Sequence, residues 1–247
     1  MSSSLYQTLN ISRQDMLNRL LDLDLTSNNI ANINTNGFKT SRSNFQEMLI
    51  HQLKGGVQMN NTQVLTGQGN LQDSQNPLDL AIQGNGYFSV KLQDGTTGYT
   101  RNGQFKMDAN RNLVTPNGYL LVMNGTIPDG TTSVIVNQDG SVVAISATGV
   151  SATVATIQLT RFPNAGGLLS RGENTWLESA ASGKPTSGAS GSPNLGIILG
   201  NKMEQSNVNL AQEFTHLMSV QRSITISSKV FQQTDTMIAE AINLRKG

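Results

Sequence analysis

The 247-residue chain contains no cysteine, which excludes disulfide bonds, thiolate catalysis and cysteine-ligated metals. Aromatic residues make up only 5% of the chain, with Trp176 as the single tryptophan. So few aromatic rings provide no stacking platform for bases or sugars. The sequence therefore argues against the binding and catalytic classes that depend on these residue types.

Charged residues are also scarce, at 13% of the chain, and the signs nearly cancel, with 17 Lys and Arg against 16 Asp and Glu. Binding to a phosphate backbone normally requires a basic excess, so we expect no nucleic-acid partner. A surface with few charges repels copies of itself only weakly, which is compatible with close packing of identical subunits.

Long apolar runs are absent as well, since none approaches the roughly 18 residues of a membrane span. The first charged residue is Arg13, so the chain starts without the basic segment of a secretion signal. We therefore expect a soluble protein without membrane insertion and without a cleaved signal peptide.

The first part of the chain shows a helical pattern. Neither Pro nor Gly occurs between residues 5 and 33. Apolar residues recur there every seven positions: Leu9, Met16, Leu23 and Ile30. This spacing is typical of a long helix with an apolar seam, and the Asn-rich stretch up to Gly37 predicts its end.

A second heptad series occupies the end of the chain. Its members are Met203, Leu210, Leu217, Ile224, Phe231 and Ile238. Asn209 and Gln212 have the spacing of a capping box at a helix start. Two core helices of one globule are the alternative, but polar neighbours such as Ser27 and Gln221 leave each seam too narrow to cover a large sheet.

Short alternating runs fill the middle of the chain, such as DLAIQ at residues 79–83 and YFSVK at residues 87–91. They indicate strands separated by Asn-Gly and Asp-Gly turns, while residues 182–193 have the composition of a loop. The predicted fold is mixed α and β. Residues 1–36 and 203–247 form terminal helices that pair as a coiled coil, residues 37–66 an extended linker, and residues 67–202 a central all-β domain.

No pattern in the sequence builds an active site. The two histidines, His51 and His216, have no Ser/His/Asp set around them. Asp22 and Asp24 point to different faces of the first helix, so they cannot act as a pair and are expected to be solvated. We expect no catalytic residue, no cofactor and no metal.

Several ordered motifs resemble those of bacterial flagellar rod and hook proteins. They are NNIANINTNGFK at residues 28–39, PLDLAIQGNGYF at 77–88, YTRNGQF at 99–105, LVTPNGY at 113–119 and SNVNLAQEF at 206–214. The matching positions of the two terminal motifs include Asn29, Asn32, Thr35, Asn36, Gly37, Phe38, Ser206, Asn207 and Val208.

This resemblance implies a structural subunit that polymerises with copies of itself, its terminal helices forming the inner layer of a tube. The tube would transmit motor torque and enclose the export channel. It also implies contacts with other rod and hook proteins and passage through the flagellar type III export apparatus. Within the family the distal rod is expected first, because the chain is short for a hook protein. A proximal rod or hook-like paralogue is the second possibility.

Two other classes of protein remain as alternatives. A secreted β-rich binding module or adhesin would use the central domain for recognition and would behave as a monomer. An extracellular enzyme on cell-wall polysaccharide would need a carboxylate pair in a cleft, and dispersed acids such as Glu173 and Glu178 show none.

Overall fold

The computed structural model describes residues 2–48 and 56–244, which contain two long helices and eighteen strands. The helices are α1 (Ser2–Ala31) and α2 (Leu210–Leu244). The strands are β1 (Ser41–Met48), β2 (Gly56–Val64), β3 (Leu71–Asp73), β4 (Leu80–Gln83), β5 (Tyr87–Lys91), β6 (Thr97–Thr100), β7 (Lys106–Met107), β8 (Leu113–Val114), β9 (Leu120–Leu121), β10 (Met123–Gly125), β11 (Thr131–Val136), β12 (Ser141–Ser146), β13 (Ser151–Arg161), β14 (Leu169–Gly172), β15 (Thr175–Leu177), β16 (Thr186–Ala189), β17 (Ile197–Gly200) and β18 (Lys202–Glu204). The mixed α and β class is confirmed.

The chain forms two compact units, and the helical unit combines α1, the paired strands β1 and β2, and α2. The predicted cap at the start of α2 is present, because Asn209 Oδ1 accepts hydrogen bonds from the backbone N–H groups of Ala211 and Gln212 at 3.1 and 3.3 Å. An N-cap of this kind satisfies backbone donors that the first helical turn leaves free.

The β unit contains residues 32–40 together with residues 64–207. Its largest sheet has the central order β11-β12-β13-β5-β6-β15-β14, with every neighbouring pair antiparallel. Tight turns join consecutive strands, and Gly95 and Gly140 adopt positive φ there, as the Asp-Gly turns predict.

Apolar side chains of the short strands form the core of the β unit. Its fully buried members are Leu80, Ala81, Ile82, Phe88, Val90, Phe105, Leu113, Val142, Ile157, Leu159 and Ile198. A second, aromatic cluster packs edge to face, with Tyr99 and Phe162 at 4.7 Å and Tyr87 and Trp176 at 5.7 Å between ring centroids. The fluorescence of Trp176, the single tryptophan, therefore reports on the folding of the β unit.

The predicted boundaries need four corrections. Met203 lies in strand β18, because the second helix begins at Leu210. The predicted linker contains the paired strands β1 and β2, and the predicted loop at 182–193 contains β16, which pairs with β13. The dipeptide Asn124-Gly125 lies within β10 and is not a turn. In each case the segment pairs with another strand, and this pairing satisfies its backbone N–H and C=O groups. Local composition, which predicted a loop, turn or helix, does not contain that information.

Candidate assembly surface

Helix α1 buries polar side chains. Its buried residues are Ser12, Asn18, Asp22, Thr26 and Asn29. Leu17, Leu20 and Leu21 lie on the opposite side of the helix and are 44 to 49% exposed. A helix that folds onto its own subunit normally buries apolar side chains and exposes polar ones. The outer face of α1 therefore lacks apolar neighbours within the subunit.

Helix α2 also exposes apolar side chains. They are Leu210, Phe214, Met218, Ile226, Val230 and Met237. Together with Ile11 and the three leucines of α1, the helices carry ten of the fifteen large apolar side chains that are exposed in the described part of the chain. Exposed apolar side chains that are concentrated on particular elements favour an interaction surface there, and here most of them lie on the two helices.

Polar contacts join the two helices in antiparallel orientation. Near the end of α1, Asn29 Nδ2 donates to Glu213 Oε2 at 3.3 Å. Further from that end, Ser227 Oγ donates to Asp15 Oδ2 at 2.5 Å. The pairing therefore brings the end of α1 to the start of α2.

A Ser of β1, an Asp of α1 and a His of α2 do meet, which the sequence did not reveal. Ser43 Oγ donates to Asp22 Oδ1 at 2.6 Å, and His216 Nε2 lies 3.1 Å from Asp22 Oδ2. The carboxylate stands between the other two groups, whereas nucleophile activation requires the histidine beside the serine. The expectation that Asp22 is solvated is wrong, since only 3% of the residue is exposed. His51 lies outside the described residues.

The apolar seam residues of both helices have intermediate exposure. This group comprises Leu9, Met16, Leu23, Ile30, Leu217, Ile224, Phe231 and Ile238. Leu210 is more open, at 42% exposed, and Met203 lies in the β unit instead. The prediction that these side chains form an assembly interface is neither confirmed nor contradicted by their positions in one subunit.

Motif residues that follow α1 and precede α2 hold segments of the β unit together. The side-chain oxygen of Asn207 accepts hydrogen bonds from Thr40 N and Oγ1, both at 2.8 Å, and its amide donates to Leu65 O and Gly67 O. Asn36 O accepts a bond from Asn174 Nδ2 at 3.2 Å. Asn207 thus connects three separate stretches of backbone with one side chain.

Gly37 combines a positive φ, which favours glycine, with a close backbone approach that leaves no room for a side chain. Its φ is +70°, and a Cβ at this position would lie 2.5 Å from the backbone nitrogen of Asn102. Its N–H donates to Glu204 O at 2.7 Å, which fastens the turn after α1 to β18.

A buried ionic network in the same region was missed by the sequence analysis. Lys39 Nζ donates to Glu204 Oε1 at 2.5 Å and to Gly67 O at 2.8 Å. Arg101 approaches Glu204 Oε2 at 3.4 Å. The three side chains are at most 5% exposed. Burial lowers the pKa of Lys39 despite the opposing effect of Glu204, and burial raises the pKa of Tyr87, whose ring lies beneath Arg101.

Two grooves among the described residues carry few titratable side chains. A groove of about 210 Å³ beside β11 is lined by Asn76, Pro77, Leu78, Met107 and residues 131–134, none of them titratable. In a second groove, along α2, His216 is the sole titratable lining residue. Residues 2–48 and 56–244 contain no cluster of three metal-ligating side chains and no helix suited to cross a membrane.

Three family models match separate parts of the chain. Residues 16–39 match the flagella basal body rod protein family, residues 81–144 the D1 domain of flagellar hook proteins FlgE/F/G, and residues 200–244 the C-terminal part of basal body rod FlgEFG proteins. A flagellar basal-body rod protein FlgG of Caulobacter vibrioides is 37% identical, over 97% of this chain and 99% of the relative. The chain belongs to the flagellar rod and hook protein family.

Further relatives distinguish rod from hook. The rod proteins FlgG of Bacillus subtilis and Borreliella burgdorferi are 35 and 33% identical, and the matches cover 94 and 91% of this chain and 96 and 93% of those proteins. A hook protein FlgE of Helicobacter mustelae is 40% identical, but over only 40% of this chain and 26% of the hook protein. Similarity to rod proteins therefore spans both helices and the β unit.

Proposed function

We propose that the chain is a structural subunit of the distal flagellar rod and that it polymerises with copies of itself through α1 and α2. Support comes from rod relatives that match nearly the whole length, whereas the hook relative matches a part. In this proposal the two apolar seams pair as a coiled coil in the inner layer of a tube. The β unit lies outside it.

The apolar residues exposed on the helices carry this proposal. Full burial of an exposed leucine contributes about 1.5–3 kcal/mol. Leu17, Leu20 and Leu21 are 44 to 49% exposed, so covering them would add roughly half of that amount for each. A second copy is the proposed cover, because a nearly neutral, weakly charged chain packs against itself with little repulsion.

The remaining functions follow from membership of the family. The assembled tube transmits torque, encloses the channel for later subunits and contacts other rod and hook proteins. The subunit leaves the cytoplasm through the flagellar type III export apparatus. The proposed function is structural and non-enzymatic, in keeping with relatives that are flagellar basal-body rod proteins.

Polar substitution of the exposed leucines tests the proposal. Leu17→Ser combined with Leu20→Ser leaves the isolated subunit folded, because both side chains are already open to water. The same variant is expected to lose polymerisation in sedimentation and electron microscopy of concentrated protein. The matched control is Val150→Ser, a 64% exposed apolar residue of the β unit, which should polymerise as the native chain does.

The outcomes also separate the alternatives. A native chain that stays monomeric at high concentration while its β unit binds a ligand would favour the adhesin class. Complementation of a strain that lacks the gene distinguishes positions along the rod. For a distal subunit, basal bodies without the protein keep a proximal rod stub, whereas a proximal subunit leaves no stub.

A further inference from the structure

Three polar bridges join the two helices along one line. We infer that these bridges, which we call the polar ladder, fix the register in which α1 and α2 pair. The ladder consists of Asn29 with Glu213, Asp22 with His216, and Asp15 with Ser227. On α1 its members recur every seven residues, the same period as the apolar seam.

The two ends of the ladder agree on a single antiparallel alignment. Asn29 and Asp15 are fourteen residues apart on α1, and their partners Glu213 and Ser227 are fourteen apart on α2. At about 1.5 Å per residue both intervals span roughly 21 Å. His216 comes one turn before the position level with Asp22, and its longer side chain reaches back to the carboxylate.

The apolar seams alone do not select this alignment. Because both series repeat every seven residues, a slide of one heptad again places apolar residues opposite apolar residues. A slide in one direction brings the nearly fully buried Val220 opposite Asn29, and a slide in the other brings Glu213 opposite Asp22. The first slide removes the Glu213 acceptor from one N–H of the buried Asn29 amide and sets an apolar side chain in its place. The second slide places two carboxylates opposite each other, so both slides are disfavoured.

Strand β1 completes the ladder. Asn29 donates to Ser41 O at 2.8 Å and accepts from Ser41 N at 3.0 Å, while Ser43 Oγ occupies the second oxygen of Asp22. Asn29 and Asp22 therefore each contact both α2 and β1. A shift of α1 would lose contacts to two elements at once.

A single register of α1 against α2 gives the helix pair a single outer surface. The ladder determines which exposed residues of α1 lie beside which of α2, and hence which face a neighbouring copy meets. This last step rests on the proposed assembly function. Buried polar residues are known to select register at some cost in stability, which is consistent with a polar rather than apolar inner face.

Distance measurement between spin labels tests the register directly. The chain has no cysteine, so Gln14→Cys and Gln232→Cys place labels at exposed positions on the two helices. The labelled chain is expected to give one narrow distance. Adding Asp22→Leu and Asn29→Leu should broaden it or create a second population displaced by roughly 10 Å, one heptad along the helix. Adding Asp24→Leu instead, at an exposed carboxylate, should change nothing.

A charge exchange gives a second test that does not replace polar residues by leucine. Ser227→Asp sets a carboxylate against Asp15 and should disturb the distance, and adding Asp15→Ser should restore it. An unshifted single distance in the double-leucine variant, or failure of the exchange to restore the native distance, would overturn the inference. If circular dichroism shows that the double-leucine variant loses its helices, the distances in the Ser227→Asp and Asp15→Ser variants test the inference instead.

The register and the polymerisation are measured at different protein concentrations. Labelled chains are measured at a dilution where sedimentation shows monomers, and polymerisation is assayed at high concentration. A register that depends on the ladder in a chain that never polymerises would support the inference and contradict the proposed function. Polymers formed with unchanged efficiency by a chain of shifted register would contradict the final step alone.

Discussion

Glu204 is the side chain that balances the buried charges of the β unit. It accepts hydrogen bonds from Lys39 and from Gly69 N and faces Arg101, with no exposed side-chain surface. Glu204→Gln leaves two cations buried without a counterion, so we expect a loss of about 3–5 kcal/mol in the unfolding free energy of this unit. Urea denaturation followed by Trp176 fluorescence measures it.

An exposed ion pair between β18 and β3 is the matched control. Lys202 pairs with Asp73, whose side chain is 86% exposed. Asp73→Asn also removes a carboxylate, but water already screens that pair, so the denaturation midpoint should hardly move. Equal losses in the two variants would mean that the buried network contributes no more than a surface pair.

Gly37 offers a second residue-scale prediction. Gly37→Val combines an unfavourable positive φ with a Cβ 2.5 Å from Asn102 N, and should abolish motility in a complementation assay. Asn36→Ser removes only a long contact of 3.4 Å to Met203 Sδ and should retain most motility. Comparable swimming by both variants would rule out the steric argument.

At the scale of elements, the seam of α2 can be disrupted without touching the β unit. Leu217→Asp and Ile224→Asp each place a charge among half-buried apolar side chains, with an expected cost of several kcal/mol to helix pairing and assembly. Sedimentation should show monomers, while near-ultraviolet circular dichroism and Trp176 fluorescence stay native. Gln232→Asp, an exposed position on α2, is the control. Continued polymerisation of the seam variants would remove the seam from the interface.

At the scale of the molecule, the two units should differ in resistance to protease. The β unit has a core of fully buried side chains, whereas α1 and α2 expose apolar surface that only assembly would cover. Long helices depend on packing for stability, so the helical unit of a monomer opens more often. Limited proteolysis should therefore trim both ends and leave a core containing residues 64–207, with the ends protected in the polymer.

Mass spectrometry of that core gives a sharper outcome. Because Lys39 is buried against Glu204, we expect residues 32–40 to remain with the core, although the sequence placed its start at residue 67. Termini that resist protease as well as the β unit does would show that the helical unit is complete in one subunit.

The sequence by itself determined the two long helices, the β-rich middle and the family. Periodicity of seven residues, the absence of Pro and Gly, and Asn-Gly or Asp-Gly turns are local signals, and the motifs are contiguous. Asn209 was identifiable as a cap for the same reason. Each of these features depends on residues that are neighbours along the chain.

Only the tertiary structure decided which side of each helix is buried. Asp22 looked like a solvated acid because its partners Ser43 and His216 are distant in sequence, and Met203 continued a heptad series although pairing with β3 makes it a strand residue. Lys39, Arg101 and Glu204 carried no local sign of their buried network. Such contacts close long loops, and a local pattern cannot encode them because their free energy depends on surroundings that exist only in the folded chain.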